Sequence, residues 1–89
     1  MEKLIDLLEQ IDKSDLEDNY DEHLNEKNKL VGNIVEIATN ELIDDNGHCI
    51  WDNHKILEKR GFSVFCGERD RFGWLVGCIQ TKKGIICYG

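Results

Sequence analysis

The sequence predicts an α+β fold, with N-terminal helices packed on a three-stranded antiparallel β-meander. Three observations carry that prediction. Apolar residues recur at helical spacing through the first half of the chain, from Leu4 to Leu42. Beyond Gly61 the period changes, and short β-branched and aromatic runs lie between glycines, as hairpins require. Proline is absent, which suits helices and tight hairpins better than long irregular loops.

The elements follow in order. Leu4, Leu7, Leu8 and Ile11, widened by Ile5, make a short amphipathic helix. Ser14-Asp15-Leu16-Glu17 has the Ser-x-x-Glu pattern of a capping box and predicts that a second helix starts there. Its stripe would run through Leu16, Tyr20, Leu24, Val31, Ile34, Val35, Ala38 and Leu42, with Lys27 interrupting it. Gly32 lies inside that helix at a cost of up to about 1 kcal/mol relative to Ala, and a close helix crossing is one reason for it. Asp44 to Gly47 ends the helix, with Asn46 or Gly47 as a left-handed stop. A short third helix follows, with Asp52 as N-cap, Gly61 just past its end, and Ile56 and Leu57 facing inward.

Phe62, Val64 and Cys66 then share one face of a first strand, and Glu68 to Arg71 form a charged turn. WLVGCIQT and IICYG are the second and third strands, with Trp74, Leu75, Ile79, Ile85 and Ile86 in or near the core. Gly84 after Lys82-Lys83 favours a bulged turn that pairs Ile79 with Cys87. A plain two-residue loop would instead pair Cys78 with Cys87.

Eighty-nine residues are read as one domain, 1–89, with an acidic helical part at 1–47 and a short helix plus antiparallel sheet at 48–89. The net charge of −7 is unevenly divided: residues 1–54 hold 15 Asp/Glu against 4 Lys, and residues 55–89 hold 3 Asp/Glu against 7 Lys/Arg. Such a small, charge-divided chain is compatible with a homodimer. It has no apolar run long enough to span a membrane and no secretion-signal pattern at its start, so a cytoplasmic location is expected.

Several chemistries are weighed against this background. Cys49, Cys66, Cys78 and Cys87 form no C-x-x-C pair, so they are read as free, buried thiols. With His48 and His54 they lack the tight knuckle of structural zinc, and no metal or other cofactor is expected. No glycine elbow or oxyanion device accompanies a Cys–His pair, and no phosphate-binding loop is present, so the chain is read as non-enzymatic.

Nucleic-acid binding is the alternative reading. Lys55, Lys59, Arg60, Arg69, Arg71, Lys82 and Lys83 interleave with Phe62, Phe65, Phe72, Trp74 and Tyr88, and aromatics on a basic sheet stack bases. The acidic whole opposes it.

The leading reading is protein binding. Asp12, Asp15, Glu17, Asp18, Asp21, Glu22 and Glu26 place seven carboxylates within fifteen residues. On helices they would form a negative ridge able to imitate a phosphate backbone and engage a basic partner. Glu68, Arg69, Asp70 and Arg71 are a second candidate contact.

The tail carries a resemblance. Gly67-Glu68-x-Asp70-x-Phe72-Gly73-Trp74-Leu75, Gly77-Cys78-Ile79 and Thr81-x-Lys83-Gly84-x-Ile86, preceded by ILEKRGFSVF, resemble the C-terminal block of small uncharacterised proteins from phages and prophages of low-GC Gram-positive bacteria. The likeness covers about 35 residues and leaves out the acidic half. It implies no established activity. By analogy of size and charge, such proteins resemble inhibitors of host defence, including anti-CRISPR proteins, whose partner would be a host protein with a basic surface.

Overall fold

The computed structural model describes residues 1–17, 22–69, 71 and 75–89, with the backbone alone for 67–69 and 75. Three helices, α1 (Glu2–Asp12), α2 (Lys29–Leu42) and α3 (Trp51–Lys59), precede three strands, β1 (Ser63–Arg69), β2 (Leu75–Gln80) and β3 (Ile85–Tyr88). The strands form one antiparallel sheet in the order β1-β2-β3. The fold is therefore α+β, as the change of period predicts. Helix α2 is central: it packs on α1, on α3 and on β3, while α3 lies against β1.

Burial follows the two periods. Leu4, Ile5, Leu8 and Ile11 of α1 meet Val31, Ile34, Ala38 and Leu42 of α2. The sheet adds Ile79, Ile86 and Tyr88, and Leu57 and Phe62 close the cluster from α3 and its exit. Alternate strand residues, Phe65, Cys78 and Cys87, occupy the opposite face, where Phe65 is 62% exposed.

The second helix is shorter than its stripe predicts, starting at Lys29 rather than near Ser14. The Ser14 hydroxyl donates to the Ile11 carbonyl at 2.7 Å and so finishes α1 instead of capping a new helix. The true N-cap is Asn28, whose side chain accepts from the N–H groups of Leu30 and Val31 at 3.0 and 3.3 Å. Between the helices the chain spends its backbone on the sheet. Ile85 donates to the Glu22 carbonyl and accepts from the Leu24 N–H, both at 2.8 Å, which adds a short parallel bridge to the edge of β3. Leu16 and Leu24 therefore reach the core from a non-helical connection, and Tyr20 lies outside the described residues.

The last hairpin takes the plain register, with Cys78 opposite Cys87 and Ile79 opposite Ile86. Thr81 closes the two-residue loop: its N–H and hydroxyl donate to the Gly84 carbonyl, and its Oγ1 accepts from the Gly84 N–H at 3.1 Å. Gly84 serves a close passage rather than a bulge. A Cβ there would fall 2.6 Å from the Glu22 carbonyl oxygen, on a backbone with φ of +153°. Similarly, a Cβ on Gly32 would approach the Glu26 carbonyl to 3.0 Å, so that glycine admits the connection rather than a helix crossing.

Three smaller expectations also change. Helix α2 ends at Leu42, because Ile43 pairs with Cys49 in an antiparallel bridge; Gly47 turns at φ +77° inside that loop. Helix α3 starts at Trp51 after Ile50, which puts Asp52 in its first turn, and its inward residues are His54 and Leu57 while Ile56 is exposed. Glu68 and Arg69 belong to β1, paired with Val76 and Leu75 beyond a bulge, rather than to a turn. Trp74 lies outside the described residues, as does the side chain of Leu75.

Candidate functional site

Three arrangements among the described residues carry chemistry: the acidic connection between α1 and α2, and two cysteine–histidine groups at the sheet.

Of the predicted ridge, Asp15, Glu17, Glu22 and Glu26 lie on the connection and outside any helix. Asp12, at the end of α1, turns inward, and its carboxylate accepts from the Lys82 N–H at 2.9 Å to tie the hairpin loop to the helix. Asp15, Glu17, Glu22 and Glu26 are exposed, whereas Asp18 and Asp21 lie outside the described residues. The ion pairs among the described residues join Arg60 to Glu9 at 3.2 Å and the N-terminus to Glu41 at 3.8 Å. Neither involves the four exposed carboxylates, so their charge faces water uncompensated. In the second candidate contact Arg71 is exposed, Asp70 lies outside the described residues, and Glu68 and Arg69 are described as strand backbone.

The sheet uses its aromatics for packing. Phe62 is 5% and Tyr88 2% exposed, so neither ring is available to stack a base. The Tyr88 ring covers Gly77 across the strands: a Cβ on Gly77 would fall 2.3 Å from a ring carbon. Burial, and secondly the charge of Cys78, push the Tyr88 phenol well above the usual tyrosine range. Its hydroxyl has no hydrogen-bond partner. Phe65 is exposed, and Phe72 and Trp74 lie outside the described residues.

The cysteines are not the four buried thiols expected. All are half-buried, and Cys49 and Cys66 are joined as a disulfide between the loop before α3 and the bulge of β1. The sulfurs of Cys78 and Cys87 lie 2.9 Å apart. The hairpin register explains this proximity. Ile85 turns both of its backbone groups away from β2, so Gln80–Ile85 is a non-hydrogen-bonded pair, and Cys78–Cys87, two residues on, is another. Such pairs bring side chains closest together. The bridge to Ile85 carries His23 alongside, with its Nδ1 3.1 Å from the Cys87 sulfur.

The second group gathers Cys49, Cys66 and His54, with one ligand atom from each inside a mutual 4.8 Å. His54 is 2% exposed, and among the described residues neither ring nitrogen has a hydrogen-bond partner of good geometry, the Leu42 carbonyl being the polar neighbour. Burial lowers its pKa from the ordinary histidine value, a shift that the nearby Leu42 carbonyl and then the Glu58 charge oppose. The Trp51 ring stands edge-on to it at 5.2 Å. His48, the sequence neighbour of Cys49, is exposed instead, and its backbone N–H donates to Asp44.

Sequence spacing missed both groupings. The separation of Cys49, His54 and Cys66 fits no knuckle because the third member arrives from a strand. The one usable signal for Cys78 and Cys87 was the plain hairpin register. Comparison with protein-family models, with curated proteins and with solved structures returns no match to this chain.

Proposed function

We propose that this chain is a non-catalytic protein-binding module whose working surface is the acidic connection between α1 and α2. The observation that carries this reading is the exposure of Asp15, Glu17, Glu22 and Glu26, with no cation among the described residues paired to them. Four carboxylates of the connection face water, and the backbone bonds of Glu22 and Leu24 to Ile85 would hold that negative surface against β3. A partner with a basic surface, such as a nucleic-acid-binding protein, is the chemical complement. Association would be steered by charge and weakened by salt. The resemblance of the tail to phage and prophage proteins favours an inhibitor of a host defence protein, of the anti-CRISPR type, acting in the cytoplasm. The alternative of direct nucleic-acid binding through the sheet is disfavoured by the burial of Phe62 and Tyr88.

The test is paired capture from a cell extract, with the wild-type chain and with Asp15→Lys, Glu17→Lys, Glu22→Lys and Glu26→Lys combined. The reading expects the wild type to retain a basic protein that elutes with rising salt, and the folded variant to lose it. Equal retention by the folded variant would refute it.

A further inference from the structure

Buried polar atoms without partners are uncommon, because each gives up its hydration without a hydrogen bond in return. His54 has two such atoms on one ring, at 2% exposure, beside two cysteine sulfurs. A hydrophobic residue at that position would pack without the penalty. The ring is explained if one nitrogen has a ligand to bind, and its neighbours define the ligand. Two sulfurs and one imidazole nitrogen are a borderline-soft donor set, the kind that takes zinc and its tetrahedral relatives.

We propose that in the reduced chain Cys49, His54 and Cys66 form a binding site for a divalent transition-metal ion of the zinc class. Each ligand is fixed by a different element. Cys49 is held by the bridge to Ile43, His54 by the first turns of α3, and Cys66 by the bulge that shifts the register of β1. In a tetrahedral site the two sulfurs stand about 3.8 Å apart, for metal–sulfur bonds of about 2.3 Å. Rotating two cysteine side chains out of the disulfide reaches that separation, while the ring nitrogen is already within 4.8 Å of both sulfurs. Two thiolates balance the charge of a divalent ion, so the occupied site buries no net charge. The Leu42 carbonyl beside the ring is placed to accept from the other nitrogen, the usual orienting partner of a metal-bound histidine. Three protein ligands leave a fourth position for water or for a donor from a partner.

The chemistry balances with one water. A phosphine added as reductant breaks the S–S bond and is oxidised by two electrons to its oxide, taking the oxygen of the water, whose two protons go to the two thiols. The metal then displaces one proton from each thiol to solvent, forming two metal–sulfur bonds and one metal–nitrogen bond.

The experiment is a Co²⁺ titration of the phosphine-reduced full chain under anaerobic conditions, followed by Zn²⁺. Thiolate-to-cobalt charge-transfer bands, with the intense visible bands of tetrahedral cobalt, should grow to one equivalent and vanish on adding zinc. Cys49→Ser and His54→Gln should each abolish the tetrahedral spectrum, and Cys78→Ser with Cys87→Ser should leave it intact. Should a ligand variant not fold, the reduced wild type still decides the matter. Its thermal midpoint should rise with Zn²⁺ concentration, as it must for an ion that binds the folded state alone. Absence of the bands at equimolar cobalt, or their loss in the Cys78/Cys87 variant, overturns the proposal.

Discussion

The connection between α1 and α2 and the sheet beside it use the same resources in opposite ways. The connection spends its backbone on structure, through the bonds from Glu22 and Leu24 to Ile85, and leaves its carboxylates in water. The sheet spends its side chains on structure, burying Phe62, Ile79, Ile86 and Tyr88. A segment anchored through its main chain is free to vary its side chains without unfolding. One anchored through packed side chains is not. Under the proposed function that difference would separate stability from binding, and substitutions on either side test the separation.

The largest effect should come from Gly77→Ala. The new methyl group would meet the Tyr88 ring before any relaxation, and that ring is itself only 2% exposed. A loss of about 3 kcal/mol is expected by urea unfolding, at the upper end of overpacking costs. A loss under about 0.5 kcal/mol, the level of an ordinary surface change, would show that Tyr88 does not lie over Gly77. Gly84→Ala comes next, because its Cβ would strike the Glu22 carbonyl where the two regions meet. About 2 kcal/mol is expected, accompanied by faster hydrogen exchange at the Leu24 and Ile85 amides.

Asn28→Ala removes the cap that starts α2 and should cost about 1 kcal/mol. An unchanged unfolding midpoint would place the true helix start elsewhere. Tyr88→Phe should move stability the other way, by up to about 1 kcal/mol, since it deletes a buried hydroxyl that has no partner. The sign of its pH dependence follows from the raised phenol. An unfolded tyrosine releases its proton near pH 10, whereas folded Tyr88 retains it. Above about pH 10 the unfolded state therefore binds fewer protons, and stability, complete at lower pH, declines as pH climbs. The alkaline decline should be shallower in Tyr88→Phe, and identical slopes would contradict the burial of that phenol.

Much of this organisation was legible in the sequence, for reasons that differ by element. The stripes of α1 and α2 were readable because Leu4, Leu8, Ile11, Val31, Ile34, Ala38 and Leu42 repeat at helical spacing and all become buried. The meander was readable because glycines bound its strands. The start of α2 was misread because Ser14 satisfies a local capping pattern, yet its hydroxyl finds the Ile11 carbonyl first. The hairpin register was misread because Gly84 looked like a bulge residue. Its reason for being glycine, the Glu22 carbonyl, comes from sixty-two positions earlier in the chain. The same limit hid the cysteine–histidine groups. Cys66 meets Cys49 and His54, and His23 meets Cys87, only because strands and bridges bring distant segments together. Exposure of the acidic residues was readable from composition. The placement of Asp15, Glu17, Glu22 and Glu26 on a connection rather than a helix was not.

The claim at the centre of this account is that the carboxylates of Asp15, Glu17, Glu22 and Glu26 carry binding and not folding. It is tested most directly by titrating the captured partner with the wild type and with the fourfold lysine variant at two salt concentrations, after matching their unfolding midpoints. The account predicts equal stability to within about 0.5 kcal/mol per site, an affinity at least about tenfold weaker in the variant, and a salt dependence that largely disappears with it. A variant that binds as tightly as the wild type, with the same response to salt, would contradict it.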